Sequence, residues 1–296
     1  MRKGIIQKLT MLAFVAMVGI PAFAQGGKFG TNAGVATTIG EGHVAGDVFD
    51  LEELQYRVID TETGLNLEVI GFASYISGAT GDPTLLESKY AGTVTIPHYL
   101  DPADVDVAAH VSSVAANAFT TTVLYPTAPG NSADSKDQFA AAAAKVTKLE
   151  IDYSPTEITA DIGANAFAGL TALTEVNNLT PGAKIAKIPV NSFDENVYKT
   201  ASLIVPAEKM GKYASTQGWK EFYLVKDNED GKILGNLNTD SKLTLADYSK
   251  LYSEIKTATK NGTSVTYSTY KDLNGDGKIT LADYSLLYSI VKRNSN

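Results

Sequence analysis

The sequence predicts an α+β fold in which a β-solenoid of short coils with small helices is followed by a compact α-helical unit made of two loop-helix repeats. Three observations predict it. A hexapeptide recurs through the middle of the chain: an apolar residue, three small or turn-forming positions ending in asparagine, a small residue and a phenylalanine. A twelve-residue, oxygen-rich segment recurs 36 residues apart near the C-terminus, and each copy runs into an apolar stripe at helical spacing. Hydrophobic residues make up 44% of the 296, enough for packed cores, and the chain has no cysteine. Packing or a hard cation therefore has to do what disulfides do in other exported proteins.

In chain order, residues 1–24 carry Arg2, Lys3 and Lys8, an apolar run from Leu9 to Ile20, and Ala22-Phe23-Ala24. That is the pattern of a secretory signal peptide, too short in its apolar run to span a bilayer, so the mature chain is expected outside the cytoplasm, secreted or at the cell surface. Residues 25–46 are glycine-rich without hydrophobic periodicity and read as a flexible arm. Gly40-Glu41-Gly42-His43-Val44-Ala45 fits a loose dinucleotide pattern, but no βαβ unit frames it. From Leu54 the apolar residues alternate: Leu54, Tyr56 and Val58, a turn at Thr61-Glu62-Thr63-Gly64, then Leu65, Leu67 and Val69. This predicts a β-hairpin, followed by a third extended segment from Tyr90 to Pro97.

The hexapeptide copies are Val114-Ala115-Ala116-Asn117-Ala118-Phe119, Ile162-Gly163-Ala164-Asn165-Ala166-Phe167 and Ile188-Pro189-Val190-Asn191-Ser192-Phe193. With a degenerate copy at Phe139, the phenylalanines fall 20, 28 and 26 residues apart, the period of a solenoid whose coils each bury one apolar edge against a neighbour. Residues 168–176 predict a short helical turn feeding a strand, and Val146-Thr147-Lys148-Leu149-Glu150-Ile151 does the same after Phe139. The unit Ile162 to Val176, with Ala201-Ser202-Leu203-Ile204-Val205-Pro206 and Gly218-Trp219-Lys220-Glu221-Phe222, resembles the BspA-like leucine-rich repeats of bacterial surface proteins. The resemblance covers residues 47–225, with residues 226–235 expected as a linker. It implies a solenoid that presents a ligand surface to a host or bacterial molecule.

The C-terminal repeat aligns Asn236-Leu237-Asn238-Thr239-Asp240-Ser241-Lys242-Leu243-Thr244-Leu245-Ala246-Asp247 with Asp272-Leu273-Asn274-Gly275-Asp276-Gly277-Lys278-Ile279-Thr280-Leu281-Ala282-Asp283. Eight of the twelve positions are identical. Oxygen side chains occupy positions 1, 3, 5, 9 and 12, the register of a loop that closes around a hard cation. Tyr248, Leu251 and Ile255, and likewise Tyr284, Leu287 and Val291, then mark an apolar stripe on each following helix.

Loop followed by helix, twice, with aspartate at position 12, resembles a type I dockerin over residues 236–293. The resemblance implies two calcium ions. Its first site would use Asn236, Asn238, Asp240, the carbonyl of Lys242, Thr244 and Asp247; its second would use Asp272, Asn274, Asp276, the carbonyl of Lys278, Thr280 and Asp283. With asparagine at position 1 and Ser241 in place of the turn glycine, the first loop has two carboxylates against three, so the second is expected to bind calcium more tightly. The resemblance also implies a cohesin-like protein partner, bound through Leu245, Ala246, Tyr252 and Ser253 and through Leu281, Ala282, Tyr288 and Ser289. The competing reading of the same residues is that the whole apolar face is core.

Composition and motifs exclude other classes. A net charge of −8 and a pI near 5.0 disfavour nucleic acid. There is no nucleophile elbow, no paired-histidine zinc helix and no phosphate loop, and the three histidines His43, His98 and His110 are dispersed. The sequence therefore predicts a secreted, non-catalytic interaction or adhesion protein. The alternative is a carbohydrate-acting subunit of a polysaccharide-degrading complex, since such complexes attach their enzymes through dockerins.

Overall fold

Short strands separated by long returns give this chain two sheets. The computed structural model describes residues 44–51, 54–60, 65–72, 92–100, 109–120, 143–152, 161–179, 185–240 and 242–294. The signal peptide, nearly all of the arm, the turn at 61–64, the repeat at Phe139 and Ser241 lie outside the described residues.

The first sheet is mixed. Its strands β1 (Val48–Leu51), β2 (Leu54–Asp60), β3 (Leu65–Phe72), β5 (Tyr99–Leu100), β6 (Ala109–Val114) and β8 (Asp161–Ile162) run in the order β1-β2-β3-β6-β5, with β8 beside β6. β2 and β3 form the antiparallel hairpin that the alternation predicts, and Leu54, Tyr56, Val58, Leu65, Leu67 and Val69 are all buried. The second sheet is parallel throughout. It runs β11-β10-β9-β7-β4, from β4 (Gly92–Ile96), β7 (Val146–Ile151) and β9 (Glu175–Asn178) to β10 (Ser202–Val205) and β11 (Leu224–Asp227). The third extended segment thus does not join the hairpin: β4 pairs with β7, in the other sheet. Adjacency in sequence is a weak guide where parallel strands need long crossovers.

Register explains the parallel sheet. Val94, Leu149, Val176, Leu203 and Val225 are aligned partners on five successive strands and all are buried. Each such side chain contributes about 1.5–3 kcal/mol of transfer free energy. The residues beside them in register, Thr93, Lys148, Glu175, Ser202 and Leu224, include the charged ones, and Lys148 bridges Glu150 at 2.9 Å and Glu175 at 3.1 Å.

The hexapeptide repeats make a second, parallel set of rungs. Phe119 stacks on Phe167 with centroids 5.6 Å apart, and Phe167 on Phe193 at 5.0 Å; all three are buried. Phe72 caps one end edge-on at 4.9 Å and Phe222 the other at 5.2 Å. The asparagines form a matching ladder: Asn165 Nδ2 donates to Asn117 Oδ1 at 3.1 Å, and Asn191 Nδ2 to Asn165 Oδ1 at 2.9 Å. Asn117 and Asn165 have φ of 61° and 56°, the left-handed region that asparagine tolerates better than other side chains except glycine. Gly163 is required by close approach, since a Cβ there would sit 2.3 Å from the Ala116 nitrogen. Residues 168–174 carry i→i+3 turns, Leu170 N to Phe167 O and Leu173 N to Leu170 O, rather than a helix. Seven residues that include Gly169, Thr171 and Thr174 are too few and too poor in helix formers to nucleate one.

Past Phe193 the chain adds α1 (Glu195–Thr200), capped by Asp194, then β10, α2 (Met210–Ser215) and a 3-10 turn at Trp219–Glu221. Tyr198, Tyr213, Trp219 and Phe222 close this end of the ring stack. Residues 226–235 do not hang free as the linker reading expects. β11 runs to Asp227, Lys226 bridges to Ile233, and Ile233 and Leu234 are buried. Two apolar residues in a row after a tight turn bury more easily than they hydrate. Then follow α3 (Leu245–Lys260) and α4 (Leu281–Asn294), whose Leu251, Ile255, Leu287 and Val291 are buried. Among the described residues no helix is long and apolar enough to cross a membrane.

Candidate functional site

At positions 3, 5, 9 and 12 the two C-terminal loops share their hydrogen bonds. The position-12 carboxylates organise them: Asp247 Oδ1 accepts from the Leu237 nitrogen at 2.8 Å, and Asp283 Oδ1 from the Leu273 nitrogen at 2.9 Å. Their Oδ2 atoms accept from the nitrogens of Thr244 and Thr280, at 2.9 and 2.8 Å. Thr244 and Thr280 return the favour to the helix by accepting from the nitrogens of Ala246 and Ala282. Each loop therefore ends in a capping box that starts its helix, with the acidic residue favourably placed at the helix N-terminus. Within the loops, Asn238 and Asn274 each donate to the aspartate two residues on, Asp240 and Asp276, at 2.9 Å. Those aspartates accept from the nitrogens of Lys242 and Lys278.

Position 1 separates the copies. Asp272 wraps the loop, Oδ1 accepting from the Asp276 nitrogen at 3.1 Å and Oδ2 from the Gly277 nitrogen at 2.8 Å. Asn236 Oδ1 accepts from the Thr239 nitrogen at 2.9 Å, and Ser241, which stands where the second loop has Gly277, lies outside the described residues. Position 4 is left-handed in both, with φ of 62° at Thr239 and 66° at Gly275. Threonine is strained there and glycine is not.

The carboxylates of Asp247, Asp272 and Asp283 are buried, and among the described residues none of them is ion-paired with a lysine or arginine. A buried carboxylate that neutral N–H and hydroxyl donors satisfy, as Thr244 and Thr280 help to do here, is chemically suited to a cation. The donors are all oxygen, the type that calcium prefers. Among the described residues no three His, Cys, Asp or Glu side chains gather closely enough to hold a metal alone. The loops instead mix carboxylate, amide, hydroxyl and carbonyl oxygens: Asn236, Asn238, Asp240, Lys242, Thr244 and Asp247 in one, Asp272, Asn274, Asp276, Lys278, Thr280 and Asp283 in the other.

Comparison with protein-family models, with curated proteins and with solved structures finds no match.

The helices present a second matched feature. Leu245, Ala246, Tyr252 and Ser253 are all exposed, and so are Leu281, Ala282, Tyr288 and Ser289. Leu245 and Leu281 expose 60% and 57% of their surface and Tyr252 and Tyr288 43% each, so this part of the apolar face is not core. Sequence reasoning missed what lies between them. Tyr248 and Tyr284 stack at 4.2 Å and 18°, while Tyr252 lies 5.0 Å from Tyr284 and Tyr288 5.2 Å from Tyr248. Hydrogen bonding to Tyr248 is the main cause that pushes the Tyr284 hydroxyl up to about 12. The signal was present as tyrosine at equivalent positions in both repeats, but only helix crossing shows that the four meet.

Two of the histidines, His98 and His110, are less scattered than their spacing suggests. The Tyr99 ring lies 6.3 Å from His98 and 5.2 Å from His110, and His98 Nδ1 meets Asp152 Oδ2 at 3.3 Å.

Proposed function

We propose that this chain is an exported, non-catalytic interaction protein: a leucine-rich-type solenoid carries a ligand surface, and a dockerin-like C-terminal unit, loaded with two calcium ions, docks to a cohesin-like partner. One observation carries the reading. Two loops with matched hydrogen bonds each start a helix whose Leu, Ala, Tyr and Ser at equivalent positions are exposed. An exposed tyrosine is a typical anchor for a protein partner, and here one occurs twice, each with an exposed leucine seven residues before it, beside a stacked tyrosine cluster. In such loops calcium would order the backbone from which the helix starts, so partner binding would need the ion.

The test is binding of the purified chain to isolated cohesin modules, measured in calcium, in EGTA and after Tyr252→Ala combined with Tyr288→Ala. The proposal expects binding in calcium and loss in EGTA. The double substitution should weaken binding by about 30-fold, or roughly 2 kcal/mol. Absence of binding to any cohesin in calcium would overturn it.

A further inference from the structure

The second loop is also the surface on which the C-terminal unit meets the end of the parallel sheet. Gly211 in α2 lies so close to it that a Cβ would sit 2.3 Å from the Asp272 carbonyl oxygen and 2.6 Å from the Gly275 nitrogen. A Cβ at Gly275 would in turn sit 2.9 Å from the Lys212 nitrogen. Ser215 Oγ donates to the Asn274 carbonyl at 3.3 Å. Loop positions 1, 3 and 4 thus present their backbone to α2, and Asp272 and Leu273 are buried where Asn236 and Leu237 are half-buried. The described side-chain hydrogen bonds of the first loop stay within residues 236–250.

Two more contacts fasten the same joint. Arg293, in the last turn of α4, donates to the carbonyls of Lys220 at 2.8 Å and Phe222 at 3.0 Å and lies 4.5 Å over the Tyr223 ring. Tyr270, which leads into the second loop, donates its hydroxyl to Asp227 at the end of β11 at 2.7 Å.

We propose that cation binding at the second loop and seating of the C-terminal unit on α2 are one coupled event, whereas the first loop loads independently. The inference rests on the calcium reading of the loops. Between the oxygens at positions 3 and 5 the backbone is left-handed at Gly275, and that same residue is what α2 touches. Ion and helix select one loop shape, so each raises the affinity for the other by the same factor. The chain has a built-in reporter in Trp219, its single tryptophan. Trp219 packs edge-on against Tyr213 of α2 at 5.6 Å and sits next to the Lys220 carbonyl that Arg293 holds.

Calcium titration of the full chain, by calorimetry and by Trp219 fluorescence in parallel, tests this. The expected result is that the fluorescence change follows the second site alone: Asp276→Ala abolishes it and Asp240→Ala leaves it. Gly211→Ala and Arg293→Ala should each weaken calcium at the second site several-fold without altering the first. Arg293→Ala keeps the test in force if Gly211→Ala fails to fold. Two ions bound with Trp219 silent, or both joint substitutions without effect on affinity, overturn the coupling and leave the loops as calcium sites. No binding at either loop overturns the calcium reading itself.

Discussion

The parallel sheet with its ring stack and the C-terminal pair of loops both solve a folding problem by repetition, but with opposite chemistry. In the first, the repetition contributes apolar surface: a valine or leucine from each of five strands to the sheet row, and Phe119, Phe167 and Phe193 to the stack. In the second, every repeat contributes oxygen, and the groups that organise it are buried carboxylates. The first needs only neighbours and should hold without a ligand. The second keeps charge out of water in a unit of about 60 residues, a size at which a core alone is thin and a bound metal adds folding free energy. Perturbations ought therefore to separate the two regions.

The sharpest break comes at the centre of the stack. Phe167→Ala removes the ring between Phe119 and Phe193 and should cost about 3–5 kcal/mol, read as a fall in the denaturant midpoint that calcium does not restore. In the C-terminal unit Asp283→Ala strands the Leu273 and Thr280 N–H groups and should cost about 2–3 kcal/mol, visible as lost hydrogen-exchange protection over residues 272–290 with the sheet unchanged. Asn165→Ala tests the polar rung inside the apolar region. It removes both ladder bonds and places alanine in the left-handed region, for about 1–2 kcal/mol in thermal unfolding.

The smallest effect lies at the joint between the regions. Burial opposes ionisation of Asp227, but hydrogen bonds from Tyr270 and from the backbone at Asp230, Gly231 and Glu229 outweigh it and hold its carboxyl below the ordinary range. A carboxyl lowered in the folded state contributes fully above the unfolded value near ~4, and that contribution is lost as pH falls through the folded value. The stability difference between the wild type and Asp227→Asn should thus be constant from pH 7 to pH 5 and shrink below about pH 4.

Much of this was legible in the sequence because it is local or periodic. The hairpin from Leu54 to Val69 follows from strict alternation, and the loops follow from oxygen spacing that recurs with the same helix start. The asparagine of the hexapeptide announced its turn, and the left-handed φ of Asn117 and Asn165 gives the reason, though Asn191 keeps the ladder bond without that φ. What could not be read was long-range. β4 joins β7 across 55 residues, a pairing that neither segment's pattern encodes. Residues 226–235 looked polar enough for a linker, yet Ile233 and Leu234 find the core only because β11 ends beside them. The seating of the second loop on α2 depends on Gly211, which in sequence is an ordinary glycine inside a weak helix.

The most direct test of the account is the number and order of calcium ions that the chain binds. Calorimetry at neutral pH should find two sites on the wild type, with the tighter one abolished by Asp276→Ala and the weaker one by Asp240→Ala. No binding at millimolar calcium, or a tighter site that survives Asp276→Ala, would contradict it.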